Sequence, residues 1–354
     1  MASGLAYYVE MTTSSSKQLV SKFNDIVIAT YGQHQVFKQT ASPLSCGADD
    51  LVFVFESGVT PDTAAVIVTC QKVAEQIKGT SSAFIVVVDD VRLAQAKIKR
   101  HFDDYKAHDQ EWDAIHVSAV IHDTVTFGDG CRVGPNAVIG AHCVLAENVT
   151  VRAGAVIEHA VVIGAGSVIN ANVNIGYNSQ LGQRVVIQAG AAIGTEGYGF
   201  APDKQNRYHR VPHTGRVVLG DDVQVGANSC IDRGTYGDTF IATGVKIDNL
   251  VHIAHNVEVG EDTMLTAQTV IAGSSKIGKR VIASGQTGVL DHKSVADDAI
   301  LVHRCGVSED ITSGGIWAGS PAKPFKEFVR GLALPKKVAK LELQIKELKK
   351  QFSS

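Results

Sequence analysis

The chain is short of large rings and of proline. Aromatic residues make up 6% of its 354 residues, with 12 Phe, 8 Tyr and 2 Trp, and only 8 residues are proline. Yet 45% are hydrophobic, so the core has to be built from aliphatic side chains. Charge of one sign is lacking too. With 33 Lys and Arg against 36 Asp and Glu, the formal net charge is −3, too mild for nucleic acid to be the main partner. No apolar run is long enough to span a membrane, and the start of the chain lacks the basic-then-apolar order of a signal peptide. A cytoplasmic protein is expected. The first ten residues fit no element, and Met11 is an alternative natural start. Six cysteines (Cys46, Cys70, Cys131, Cys143, Cys230 and Cys305) include no CxxC pair. They read as small buried hydrophobes in a reducing compartment, not as disulfides or metal ligands. No GxSxG elbow marks a serine nucleophile.

What is present is a rhythm. From Ile115 a large apolar residue falls on every sixth position as far as Ile193. The register resumes at Leu219, Val225 and Ile231, skips to Ile241, and runs on to Val307. Of 29 register positions, only Phe127 and Ala283 are not Ile, Leu or Val. A period of six is neither that of a helix nor that of a flat strand. A short strand, a turn and a repeat do produce it, as in a parallel β-helix of hexapeptide repeats. The second hexad position is often Gly, as in Ile139-Gly140, Val259-Gly260 and Ile277-Gly278, which suits a turn with no room for a Cβ. The fifth is small or β-branched (Cys131, Ala137, Cys143, Ser167, Val173, Val257), as a narrow interior requires.

Three regions follow. Residues 1–110 carry no hexads. Strand-like runs at 25–30, 50–55, 64–70 and 83–88 alternate with helical stretches near 71–78 and 91–105, which predicts a small α/β domain. The β-helix occupies 111–320, interrupted where Gly194–Val218 leaves the register and carries Gly197-Tyr198-Gly199-Phe200. Long loops on rigid scaffolds are often functional. In the tail, 321–354, the apolar residues Val338, Leu341, Ile345, Leu348 and Phe352 follow Pro335 at heptad spacing. This predicts a helical extension that packs on a neighbour or on copies of itself. It holds nine Lys or Arg against Glu327, Glu342 and Glu347, so the tail is +6 and the remainder −9. A basic tail suits an acidic partner, and it equally suits the solvated face of an exposed helix.

Histidine is the main source of chemistry. His116, His122, His142 and His159 occupy outward hexad positions and read as solvated. His252, His255, His292 and His303 crowd the last coils. The hexads of His255 and His292 begin 36 residues apart at Ile253 and Val289. With three hexads per coil, the two lie on one face about 9–10 Å apart. One could act as general base and the other as a polar contact. A zinc site would need histidines from neighbouring subunits, since two at that separation cannot share one ion.

The stretch Ile247-Asp-Asn-Leu-Val-His-Ile-Ala-His255-Asn-Val, the Ile-Ala-Gly273-Ser after it, Ile231-Asp-Arg-Gly234 and Gly215-Arg-Val-Val-Leu-Gly220 together resemble one family. It is the UDP-3-O-acylglucosamine N-acyltransferases of lipid A and lipopolysaccharide biosynthesis in Gram-negative bacteria. The Gly-Tyr-Gly-Phe loop is similar to that family's segment with the two aromatics exchanged. The resemblance implies a mainly β fold: a left-handed parallel β-helix with an N-terminal α/β domain for the uridine and a C-terminal helical tail. It also implies a homotrimer with active sites between subunits. Catalysis would fall to His255 as base, His292 as second histidine and the Gly273 N–H as oxyanion donor. Asn249, Phe53, Tyr198 and Phe200 would bind substrate. The family pairs a uracil-stacking Phe with a Tyr six residues on, where this chain has Phe53 and Val59, leaving Phe53 or Phe55 as the aromatic candidate. The implied reaction moves a 3-hydroxyacyl chain from the 4′-phosphopantetheine thioester of acyl carrier protein to the 2-amino group of the UDP-sugar. No metal or other cofactor is needed. The alternatives are an acetyl-CoA-dependent amino-sugar N-acetyltransferase of the same fold, a γ-type carbonic anhydrase with zinc, and a non-enzymatic scaffold.

Overall fold

The computed structural model describes residues 13–352 except 57, 62, 104–111 and 113, so the reading of the first ten residues falls outside the described residues. The chain divides into two compact units, residues 1–109 and 110–354.

In the first unit the four strand-like runs become Val27–Tyr31, Asp50–Val54, Val66–Thr69 and Phe84–Val88. They form a five-stranded sheet in the order Val27–Tyr31, Phe84–Val88, Val66–Thr69, Asp50–Val54, Gln39–Ala41. Only the first pairing is antiparallel. The unbroken apolar runs reflect cover on both faces. Leu51 and Phe53 pack with Val91, Ala94 and Ile98 of the helix Val91–Asp103, while Val52 and Val54 pack with Val73, Ala74 and Ile77 of the helix Gln71–Ile77. The sequence reading missed the helix Ser16–Lys22. It is announced by a capping box, in which the Gln18 N–H donates to Ser15 Oγ and the Ser15 N–H to Gln18 Oε1.

The second unit is a parallel β-helix of three sheets. Each hexad contributes a two-residue strand that pairs with the strand 18 residues on, as Val138 does with Val156 and Val156 with Asn174. The register residue points inward and its predecessor outward, so Ile139, Ile157, Ile175 and Ile193 stack in one column at 1% exposure or less. Each such burial stabilises by about 1.5–3 kcal/mol. The fifth-position residues Ala137, Cys143, Ser167, Val173 and Val257 are buried as expected, but Cys131 is only half-buried, as are Cys46, Cys70 and Cys230.

The corners divide two tasks. Close approach of the next coil's backbone governs the second position, where a Cβ on Gly140 would lie 2.8 Å from His159 N. Left-handed backbone falls instead on the fourth position: Asn136, Asn148, Asn172, Asn228 and Asn256 have φ between 55° and 59°. Asparagine tolerates that region, so its recurrence was a second signal of the same repeat.

Two insertions lengthen a coil. The stretch Gly194–Val218 is not an irregular loop but carries a hairpin, Phe200–Pro202 against Tyr208–Arg210, and across it Gln180 pairs with Val218. The second insertion falls after Asp232, so that Cys230 pairs with His252. In the tail the helix runs over Phe325–Phe352, with Pro335 inside it instead of ahead of it. A proline ring crowds the carbonyl four residues back. Here that carbonyl belongs to Gly331, inside the same helix. The stripe of Val338, Leu341, Ile345 and Leu348 stays about half exposed.

Candidate active site

The strand His252–Ile253 buries Ile253 in the core, and the corner Ala254–His255–Asn256 follows it. Asn256 sits at φ 59°. Its side-chain oxygen accepts from the Thr235 N–H at 2.9 Å, which fixes which end of the amide is oxygen. The same oxygen lies 3.2 Å from His255 Nδ1. Nδ1 must therefore donate, and the neutral ring keeps its lone pair on Nε2.

Nε2 faces Gly273 on the next coil, where a Cβ would come within 2.7 Å of both His255 Cε1 and Nε2. The backbones interlock: the Ser274 N–H donates to His255 O at 2.9 Å, and the His292 N–H to Gly273 O at 3.0 Å. Three residues distant in sequence thus stand on consecutive coils, as the 36-residue spacing predicts. A half-buried imidazole with a free Nε2, beside a backbone with no side chain, can take a proton from a nucleophile while a carbonyl sits against the glycine.

Other predicted residues are placed differently. Asn249 lies in the corner before His252–Ile253 and His255 in the corner after it, at opposite edges of one face. The Asn249 side-chain oxygen accepts from the Ala227 N–H at 2.6 Å. Tyr198 and Phe200 make an edge-on pair at 5.0 Å, with Tyr198 84% exposed. In the first unit Phe53 is a core residue, 3% exposed. With the half-buried Phe55 it lines a cavity of about 410 Å³ that also includes Pro43, Gln95 and Lys99. Val59 is exposed.

The sequence reading passed over His213, Asp232 and Arg233. His213 is buried, with its ring 5.0 Å from that of His255. Its Nδ1 donates to Val211 O at 2.9 Å. Gly197 and Gly199 wrap it so closely that a Cβ on either would come within 2.8 Å of the ring. Those glycines of the Gly-Tyr-Gly-Phe loop therefore make room for a histidine. Arg233 anchors the base of the insertion: its Nε donates to Gly194 O at 2.8 Å, and its guanidinium lies 3.5 Å over the Tyr177 ring. Asp232 accepts from Thr195 Oγ1 at 2.9 Å and lies 3.6 Å from His252 Nε2. Burial pushes its carboxyl above the ordinary range, against the opposing pull of His252, the Thr195 bond, His255 and His213. The motif Ile231-Asp-Arg-Gly234 announced these residues, but no hexad rule gave them a task.

Residues 115–236 match the model of the GMPPB C-terminal domain. The chain is 40% identical over 323 residues to the UDP-3-O-acylglucosamine N-acyltransferase of Methylococcus capsulatus, covering 90% of this chain and 91% of that one. The protein of the same name from Desulfotalea psychrophila is 38% identical over 318 residues, covering 86% and 88%. Among solved structures, an Arabidopsis UDP-N-acetylglucosamine acyltransferase superposes with a TM-score of 0.52 at 21% identity, over 59% of this chain and 72% of that one. That likeness is one of fold, the left-handed parallel β-helix.

Proposed function

Since the chain belongs to the UDP-3-O-acylglucosamine N-acyltransferases of lipid A biosynthesis, we propose that it performs their N-acyl transfer with His255 as general base and an acyl carrier protein thioester as donor. The observation that carries this reading is the fixed tautomer: Asn256 holds the proton on Nδ1 and leaves the Nε2 lone pair against Gly273. Nε2 takes a proton from the 2-amino group of the UDP-sugar as its nitrogen attacks the thioester carbonyl. The carbonyl oxygen gains negative charge and is met by the Gly273 N–H. Collapse expels the pantetheine thiolate, which recovers a proton, and leaves an amide on the sugar. His292, exposed one coil further on, binds a phosphate or hydroxyl of the sugar nucleotide. Tyr198 and Phe200 lie against the acyl chain or sugar, and Asn249 contributes from a neighbouring subunit of a homotrimer.

The cavity beside Phe55 takes the uracil, with Gln95 and Lys99 supplying polar contacts in place of the ring absent at Val59. The basic tail helix attracts the acidic carrier protein. The reaction runs in the cytoplasm with no cofactor beyond the carrier's phosphopantetheine. The test is N-acyl transfer from a 3-hydroxyacyl carrier protein to UDP-3-O-acylglucosamine by wild type and His255→Ala. A loss of several orders of magnitude with an unchanged melting temperature supports the base. Turnover near wild type removes it. Transfer from acetyl-CoA alone would replace the donor. Changing tail lysines such as Lys336 and Lys340 to Glu raises the apparent KM for the carrier protein and weakens its salt dependence; an unmoved KM leaves the tail a solvated helix.

A further inference from the structure

Asp232 is a buried carboxylate in the middle of the site for which the proton transfer described above has no use. It ends the strand Cys230–Asp232 and is held from the neighbouring coil by Thr195 Oγ1 at 2.9 Å. The groups facing it are histidines. His252 Nε2 is 3.6 Å away on the adjacent strand. The pairing of Ile231 with Ile253 sets Asp232 across from Ala254, the residue before His255, and the His255 ring stands 5.0 Å from that of His213. The other charges nearby are turned elsewhere. Arg233 donates to the carbonyls of Gly194 and Gly215 and stacks on Tyr177. Glu196 is engaged by the His213 N–H and by Arg210. The half-buried thiol of Cys230 is neutral, pushed up by burial and by Asp232 itself. Nor do Asp232 and the histidines form a metal-binding group, since no cluster of three or more His, Cys, Asp or Glu among the described residues could hold an ion.

A desolvated carboxylate destabilises the fold unless it is compensated, and apolar packing would have served the strand better. We propose that Asp232 is an electrostatic positioning residue for the transfer, a fixed negative charge that stabilises the imidazolium formed when His255 takes the proton. It acts without touching substrate. Its geometry is set by the Thr195 bond, so no reorganisation is needed as the charge on His255 develops. The inference rests on His255 being the base, and its test separates the two.

Asp232→Asn keeps the shape and the Thr195 bond and removes the charge. Losing one such interaction moves the acid limb of the kcat/KM profile down by about one unit, which is about tenfold in the stability of the imidazolium. Thr195→Val removes a bond that favours the charged carboxylate, so it moves the limb in the same direction and by less than Asp232→Asn does. Asp232→Glu retains most of the wild-type profile. If the Asn variant is too slow to profile, the same midpoint is read from the pH dependence of diethyl pyrocarbonate modification of His255, followed by mass spectrometry of its peptide. An unmoved limb or modification midpoint in Asp232→Asn overturns the proposal and leaves Asp232 an anchor for the insertion. An active His255→Ala enzyme would defeat the base assignment instead, whatever Asp232 does.

Discussion

An alanine at position 273 would place its Cβ 2.7 Å from both Cε1 and Nε2 of His255. Non-bonded carbons rest about 3.5–4.0 Å apart, so roughly 1 Å has to be found. The backbone cannot supply it, because Ser274 and His292 pin both sides of the corner through N–H groups 2.9 and 3.0 Å from His255 O and Gly273 O. The imidazole can, since it is the free end of a side chain. The ring swings, the 3.2 Å contact with Asn256 opens, and Nε2 leaves its place. A displacement of about 1 Å costs about 100-fold in rate, or about 2.7 kcal/mol of barrier. The core beneath is untouched, so Gly273→Ala should melt within about 2 °C of wild type. The assay is kcat/KM for N-acyl transfer beside a melting curve, with Gly79→Ala as control because a Cβ there meets nothing within 4 Å. Wild-type turnover by Gly273→Ala would refute the reasoning, since it would mean that the position of the His255 ring does not matter.

Three further outcomes are expected. Ile253→Ala removes a fully buried aliphatic from the column beneath the site and should lower unfolding stability by about 2–5 kcal/mol in a denaturant titration. The Cys305 thiol, pushed up to about 11 by burial, should resist iodoacetamide at pH 7.5 until the protein unfolds, as followed by peptide mass spectrometry. Asp232→Asn should raise the melting temperature at neutral pH. Burial holds the wild-type carboxyl above its unfolded value, so ionisation destabilises the fold as pH rises through that range. Below the unfolded value both states are protonated and the gain should vanish, which melting curves at pH 3.5 and 7.5 would reveal.

The repeat was legible because each hexad obeys a local rule. A residue that must point inward every six positions leaves the same mark 29 times, and one such mark set the phase for His255, Gly273 and His292. The heptad stripe placed the tail helix after Pro335, whereas the helix begins ten residues earlier at Phe325 and carries the proline inside it. Phe53 packs in the core of a strand covered on both faces and also lines the cavity beside Phe55. An apolar residue in a buried run looks the same in sequence whether or not a cavity opens beside it.

The sequence by itself determined the coil, because strand, corner and inward aliphatic are properties of six consecutive residues. It also determined that the last coils carry histidines on one face. Only the tertiary structure decided the state of the base: the proton on Nδ1 follows from Thr235 donating to an asparagine 21 residues away. Only it brought His213 from the insertion against His255, and Asp232 beside the same corner from the preceding coil. These partners come from segments where the register is broken, so no periodicity could carry them. They meet because the insertion folds back onto the coil, and that is a property of packing in three dimensions.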